Sequence, residues 1–220
     1  MNIAGYIDHT ILKPVTVMSD VRKLCNEAAE YQFAAVCVPP PFVKASKNIL
    51  AATNVDVATV IGFPFGYSVA RAKLAEVQQA LQDGADELDI VINLTALKSG
   101  SWSYLESEMD LLVEPIHEKG KVVKVIIESG LLTDEEIVRC CEIYAGLNVD
   151  FLKTSTGYAE TGATVHAVQL MRANLPSTVK IKASGGIRTY EAAMEYIAAG
   201  ADRIGCSAGV AIMKQQLSAK

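Results

Sequence analysis

The stretch Gly84-Ala85-Asp86-Glu87-Leu88-Asp89 (GADELD) returns as Gly200-Ala201-Asp202-Arg203-Ile204-Gly205 (GADRIG), and its Val-Asp variant stands in LNVDFLK, Leu147 to Lys153. Each copy leads out of an amphipathic stretch, through a turn, into a short apolar run. Around the copies the same alternation fills the chain. Strands are expected at 7–10, 34–38 (AAVCV), 56–61 (DVATVI), 87–92, 122–127 (VVKVII), within 150–158, at 179–183 and at 203–206. Between them apolar residues recur at helical spacing, as in Ala70, Leu74, Val77 and Leu81 or Leu105, Met109, Leu112 and Ile116. Pro115 is expected to kink or shorten the second of these helices. Several strands are continuously apolar, the pattern of a parallel sheet covered on both faces. Eight strand–helix units in one order predict a closed (β/α)8 TIM barrel, one α/β domain over residues 1–220; an open doubly wound sheet is the alternative.

Aligned on Asp86, Asp150 and Asp202, the residue three places later is Asp89, Lys153 or Gly205. These lie on strands four, six and eight. In such a barrel alternate strands share an interior layer, so Asp89 and Lys153 are expected inside at similar height. Strand seven, VKIKAS, puts Lys180 and Lys182 on one face by its period of two. Facing inward, Lys182 comes to the C-terminal rim beside Lys153. Burial and a cationic neighbour both favour a neutral amine, and a neutral amine is a nucleophile towards carbonyl carbon. Asp89 can carry protons beside it. The competing readings are a lysine reaching out to solvent at a strand end and a structural Asp–Lys ion pair.

Half of the 220 residues are apolar, 20% are charged and the net charge is -5. That balance argues against nucleic acid as the main partner, so an anionic ligand must be held by local donors. Two loops qualify: ASGGIR (Ala183 to Arg188) after strand seven and GCSAG (Gly205 to Gly209) after strand eight. Barrels often hold phosphate between these two loops, where backbone N–H groups can approach its oxygens. Ser207 adds a hydroxyl and Arg188 a charge. Cys25, Cys37, Cys140, Cys141 and Cys206 form no CxxC and read as reduced core residues of a cytoplasmic protein. No metal spacing, signal peptide or membrane span is expected. His9 reads as a structural hydrogen-bonder, and His117 and His166 as surface residues.

These residues resemble the deoxyribose-phosphate aldolases, a family of class I aldolases. The resemblance runs through IDHTIL (7–12), VCVPP (36–40), VIGFPFG (60–66), ELDIVIN (87–93), VKVIIESGLL (123–132), FLKTSTGY (151–158), KASGGIR (182–188) and RIGCSAG (203–209). It implies that Lys153 forms the Schiff base and that Asp89 and Lys182 exchange protons. It implies that Gly157, Gly185, Gly186, Gly205 and Ser207 hold the substrate phosphate; Thr156 and Arg188 are expected to line the same site. The implied reaction is the reversible cleavage of 2-deoxy-D-ribose 5-phosphate to D-glyceraldehyde 3-phosphate and acetaldehyde, in deoxynucleoside breakdown. No cofactor and no metal are implied, only small sugar-phosphate and aldehyde partners and a homodimer or homotetramer. Two departures stand out. Some members carry a lysine where this chain has Tyr158, and some end in a tyrosine that assists proton transfer, whereas Ser218, Ala219 and Lys220 stand last here. A phosphosugar isomerase and a non-catalytic phosphosugar-binding protein remain the alternatives.

Overall fold

A computed structural model describes residues 2–218; Ala219 and Lys220, where the terminal departure falls, lie outside the described residues. Eight strands pair in parallel and in chain order: β1 (Ile7–Thr10), β2 (Ala35–Val38), β3 (Asp56–Ile61), β4 (Glu87–Val91), β5 (Val122–Ile126), β6 (Phe151–Lys153), β7 (Lys180–Ser184) and β8 (Arg203–Cys206). β8 pairs with β1, Gly205 beside Asp8, and closes the cylinder. The open-sheet alternative is thereby excluded. Strand limits depart from the expected ones by a residue or so, as at β7, which begins and ends one residue later.

The helices are α1 (Met18–Tyr31), α2 (Val43–Leu50), α3 (Ala70–Gln82), α4 (Leu94–Lys98), α5 (Trp102–His117), α6 (Asp134–Gly146), α7 (Val165–Asn174), α8 (Tyr190–Ala198) and α9 (Gly209–Ser218). α4 was not expected. Its five residues are too few for apolar periodicity to register, and the Asn93 side chain caps it by accepting from the Ala96 N–H. Pro115 falls in the last turn of α5, which ends two residues later. At α6 Thr133 and Glu136 form a capping box, as their spacing of three in the sequence allows.

The outward faces of the strands pack under the helices as one apolar core; Val36, Val57, Leu88, Val123, Leu152, Ile181 and Ile204 are fully buried. The five cysteines are buried and unpaired. The repeated aspartates have a mechanical role at the N-terminal rim. Asp86, Asp150 and Asp202, each just before an even strand, accept the backbone N–H of Val57, Val123 and Ile181 on the preceding odd strand, at 3.0, 2.8 and 2.9 Å. The sequence repeat is therefore a strand-to-strand staple, and its regular placement is what sets Asp89, Lys153 and Gly205 in phase.

Candidate active site

Period two turns Asp8, Cys37, Glu87, Asp89, Lys124, Lys153, Lys182, Arg203 and Gly205 into the cylinder. Most barrels fill this space with branched apolar side chains; here a small apolar cluster, Cys37, Ala58 and Val60, occupies one side. The floor is the Phe151 ring, with Lys124 Nζ, Lys180 Nζ and the Arg203 guanidinium 5.9, 5.5 and 5.7 Å from its centre. Lys180 thus shares the inward face of Lys182 but lies at the open N-terminal end, where it is exposed.

Above the floor the charges interlock. Asp89 Oδ1 accepts from Lys124 Nζ at 2.8 Å; Asp89 Oδ2 accepts from both Lys153 Nζ, at 2.7 Å, and Lys182 Nζ, at 2.8 Å. Lys182 Nζ also lies 2.5 Å from Asp8 Oδ2. Lys124 lies 2.5 Å from Glu87, and Arg203 joins Asp8 to Glu87 at 2.5 and 3.1 Å. The three residues expected to act together therefore meet on one oxygen. Asp8 and Lys124 were not singled out from the sequence, although Lys124 is the one polar residue of VVKVII and has the inward parity of its strand.

Burial and partners decide each group's protonation. Burial pushes the Asp8 and Asp89 carboxyls up, but the surrounding cations outweigh it and hold both well below the ordinary carboxylate range. Burial pushes Lys182 down, but Asp8 and Asp89 outweigh it and raise it, so Lys182 stays charged. Lys153 is the exception. Burial lowers its pKa, Asp89 opposes that, and the charge on Lys182 adds to the lowering. The expected influence of the neighbouring lysine is present, but desolvation is the larger cause.

Lys153 stands on the floor of a cleft of about 550 Å³ at the C-terminal mouth. Thr156, Gly157, Gly185, Gly186, Arg188, Gly205 and Ser207 all line that cleft, as do residues of the β1 loop. Gly185 and Gly186 have φ of 91° and 82°, backbone that favours glycine, and a Cβ on Gly185 would meet the Cα of Gly162 at 2.9 Å. The loops after β6 and β7 are laced together: Ser184 Oγ donates to the Ser155 carbonyl at 2.6 Å, and the Ser184 N–H donates to Thr154 Oγ1 at 3.1 Å.

Two lining residues have tasks the sequence did not disclose. Thr156 directs its N–H and its hydroxyl to Glu128, a buried carboxylate held in the left-handed region at φ 54°, so it shapes the loop. Gly205 leaves space: a Cβ there would lie 2.9 Å from Lys182 Cε. Lys182, on β7, crosses β8 at this glycine to reach Asp8 on β1. His9, by contrast, points away from the cylinder. It is buried, 2.9 Å from Glu27 on α1 and edge-on to Phe33. His117 and His166 lie near the surface against Asp150 and Asp134. Among the described residues no cluster of His, Cys, Asp and Glu could hold a metal ion.

A buried lysine with a lowered pKa, at the foot of a glycine-lined cleft, is the equipment of carbonyl chemistry, and the comparisons with known proteins agree in kind. A profile described as DeoC/LacD family aldolase matches residues 3–215. A deoxyribose-phosphate aldolase of Thermococcus gammatolerans is 50% identical over 216 residues, 97% of this chain and 96% of the relative. One of Bacillus cereus is 51% identical over 214 residues, 97% and 95% of the two chains. The structure of the deoxyribose phosphate aldolase of Aeropyrum pernix, described as a tetramer, superposes with a TM-score of 0.92 at 33% identity, covering 99% of this chain and 92% of that one. With the profile spanning nearly all of the chain and relatives at half identity, this chain belongs to the DeoC/LacD family of aldolases.

Proposed function

We propose that the chain is a class I deoxyribose-phosphate aldolase that works through an imine on Lys153, without metal or cofactor. The observation that carries this reading is the Asp89 Oδ2 atom shared by Lys153 and Lys182. One lysine is held charged and the other is pushed towards neutrality on the same oxygen. The neutral amine of Lys153 attacks the aldehyde carbon of the open-chain sugar. The charged Lys182 supplies the proton on which water leaves, with Asp89 Oδ2 as the bridge between the two nitrogens. The protonated imine then accepts the electron pair of the C2–C3 bond as the C3 hydroxyl gives up its proton. Glyceraldehyde 3-phosphate departs, the enamine takes a proton at C2, and hydrolysis releases acetaldehyde and restores the amine.

The interior charge balance supports the same assignment. Among the described residues of the buried network, three carboxylates (Asp8, Glu87 and Asp89) face four cations (Lys124, Lys153, Lys182 and Arg203). A neutral Lys153 leaves the network balanced. The glycine-lined cleft, with Ser207 and Arg188 at its rim, is assigned to the phosphate. Assembly as a homodimer or homotetramer and a cytoplasmic setting belong to the same proposal; among the described residues, no helix is long and apolar enough to cross a membrane. Incubation with 2-deoxyribose 5-phosphate followed by borohydride reduction tests the central step. The expected product is an acetaldehyde-derived ethyl adduct on Lys153, located by peptide mass. Turnover with no reducible adduct on that residue overturns the imine mechanism.

A further inference from the structure

The cleft above Lys153 has a composition unlike the rest of the chain. The protein carries more acidic than basic residues, yet among the described residues no carboxylate lines this cleft, while Lys13, Lys153 and Arg188 do. Lys153 is bonded to Asp89. Lys13 and Arg188 have no ion pair and no side-chain hydrogen bond among the described residues. Arg188 comes from the loop after β7, which the glycine pattern already assigns to an anion. Lys13 comes from the loop after β1, which neither the motifs nor the repeat connects with binding.

That loop is pinned around Lys13. The Ile11 N–H donates to the Cys37 carbonyl at 3.0 Å, continuing the β1–β2 ladder past its end. The Thr16 N–H donates to the Lys13 carbonyl at 3.0 Å, closing a turn. Between these points the hydroxyl of Tyr158, on the loop after β6, donates to the Leu12 carbonyl at 2.8 Å. In the cylinder β6 and β1 are separated by β7 and β8, so this bond spans the mouth. The Tyr158 ring also packs edge-on against Phe63 from the loop after β3, with centres 5.4 Å apart. The strap sets off the sector of the rim formed by the loops after β6, β7, β8 and β1, which is the sector that bounds the cleft.

We propose that Lys13 is a second cation for the substrate phosphate and that Tyr158 is the positioning residue that presents it. A phosphate monoester carries about 1.5 to 2 negative charges at pH 7. Arg188 alone leaves part of that charge to backbone donors; Lys13 supplies the remainder from the other end of the sector, and together they favour a phosphorylated sugar over a neutral one. The identity of the sugar rests on the aldolase reading above, whereas the phosphate contact does not.

Two measurements on the full chain separate these claims. Isothermal titration with inorganic phosphate is expected to give a Kd weakened by roughly tenfold or more in Lys13→Gln, near that of the parent in Lys13→Arg, and weakened by less in Tyr158→Phe. The ratio of kcat/KM for 2-deoxyribose 5-phosphate to that for 2-deoxyribose is expected to fall by a similar factor in Lys13→Gln. Equal phosphate affinity in the parent and Lys13→Gln, or no phosphate binding by the parent, overturns the proposal. Weakened phosphate binding in a protein that cleaves neither sugar upholds the anion site and overturns the aldolase reading alone.

Discussion

Lys153 and Lys182 are neighbours in register across β6 and β7, buried alike, and driven in opposite directions. The difference is the number of carboxylates each one touches. Lys182 lies against Asp8 and Asp89, whereas Lys153 touches Asp89 alone. Exchanging Lys182 for methionine removes the cation that helps lower Lys153 and leaves two depressed carboxylates short of a partner. Both changes favour a charged Lys153, so its pKa rises. The acid limb of the kcat/KM profile for Lys182→Met is therefore expected to move to higher pH, with kcat reduced by about 10²- to 10⁴-fold through loss of the proton donor proposed above. An acid limb at the same pH as the parent's would mean that burial alone sets the amine. Asp8 keeps Arg203 on Oδ1 but loses Lys182 from Oδ2, so the fold is expected to lose stability, by less than the roughly 3–5 kcal/mol of a buried charge left wholly unpaired.

At the scale of a strand, β8 matters for what it lacks. Gly205 opens a lane through which Lys182 passes to β1, and a methyl group there would press on Lys182 Cε at 2.9 Å and on Ser184 Cβ at 3.0 Å. Gly205→Ala is expected to fold, because the strand geometry is ordinary, but to displace Lys182 from Asp8 and lower kcat by about 10²-fold, the usual effect of a 1 Å misplacement. A crystal structure of the variant with Lys182 Nζ still beside Asp8, together with full activity, would sink this account. The same scale explains what could be read beforehand. The period of two fixes which side chains face the cylinder, so Asp89, Lys153 and Lys182 were legible as a group before any coordinates. By the same parity His9 is turned outward between the inward Asp8 and Thr10. Asp8 and Lys124 carried a weaker signal, because a single charge in a short strand reads equally well as a frayed end; only the β8–β1 closure puts Asp8 beside Lys182. The Tyr158–Leu12 bond joins residues 146 positions apart, and no local pattern encodes it.

Over the whole molecule, the interior network couples chemistry to stability, and the sign differs from group to group. Asp8 and Asp89 have folded pKa values below their unfolded value of ~3.9. Their contribution is complete above that pH and disappears as pH falls through the lower folded values. Lys124 and Lys182 are raised, so theirs is complete below ~10.4 and disappears as pH climbs through the folded values. Lys153 runs the other way. Its folded pKa is below its unfolded value of ~10.4; between the two, the unfolded chain binds the extra proton, so stability increases with pH across that window. Below the folded value, the native state bears the full cost of burying this amine, roughly 1.4 kcal/mol for each pKa unit of depression. Lys153→Met removes that cost, keeps a side chain of similar length, and leaves Asp89 bonded to Lys124 and Lys182. The inactive variant is therefore expected to be more stable than its parent in urea at pH 7, by an amount that shrinks as pH rises towards 10. An unchanged difference between pH 7 and pH 10, or a variant less stable at pH 7, would mean that Lys153 is buried in its charged form at no net cost, and the case for a neutral nucleophile at the foot of the cleft would fall with it.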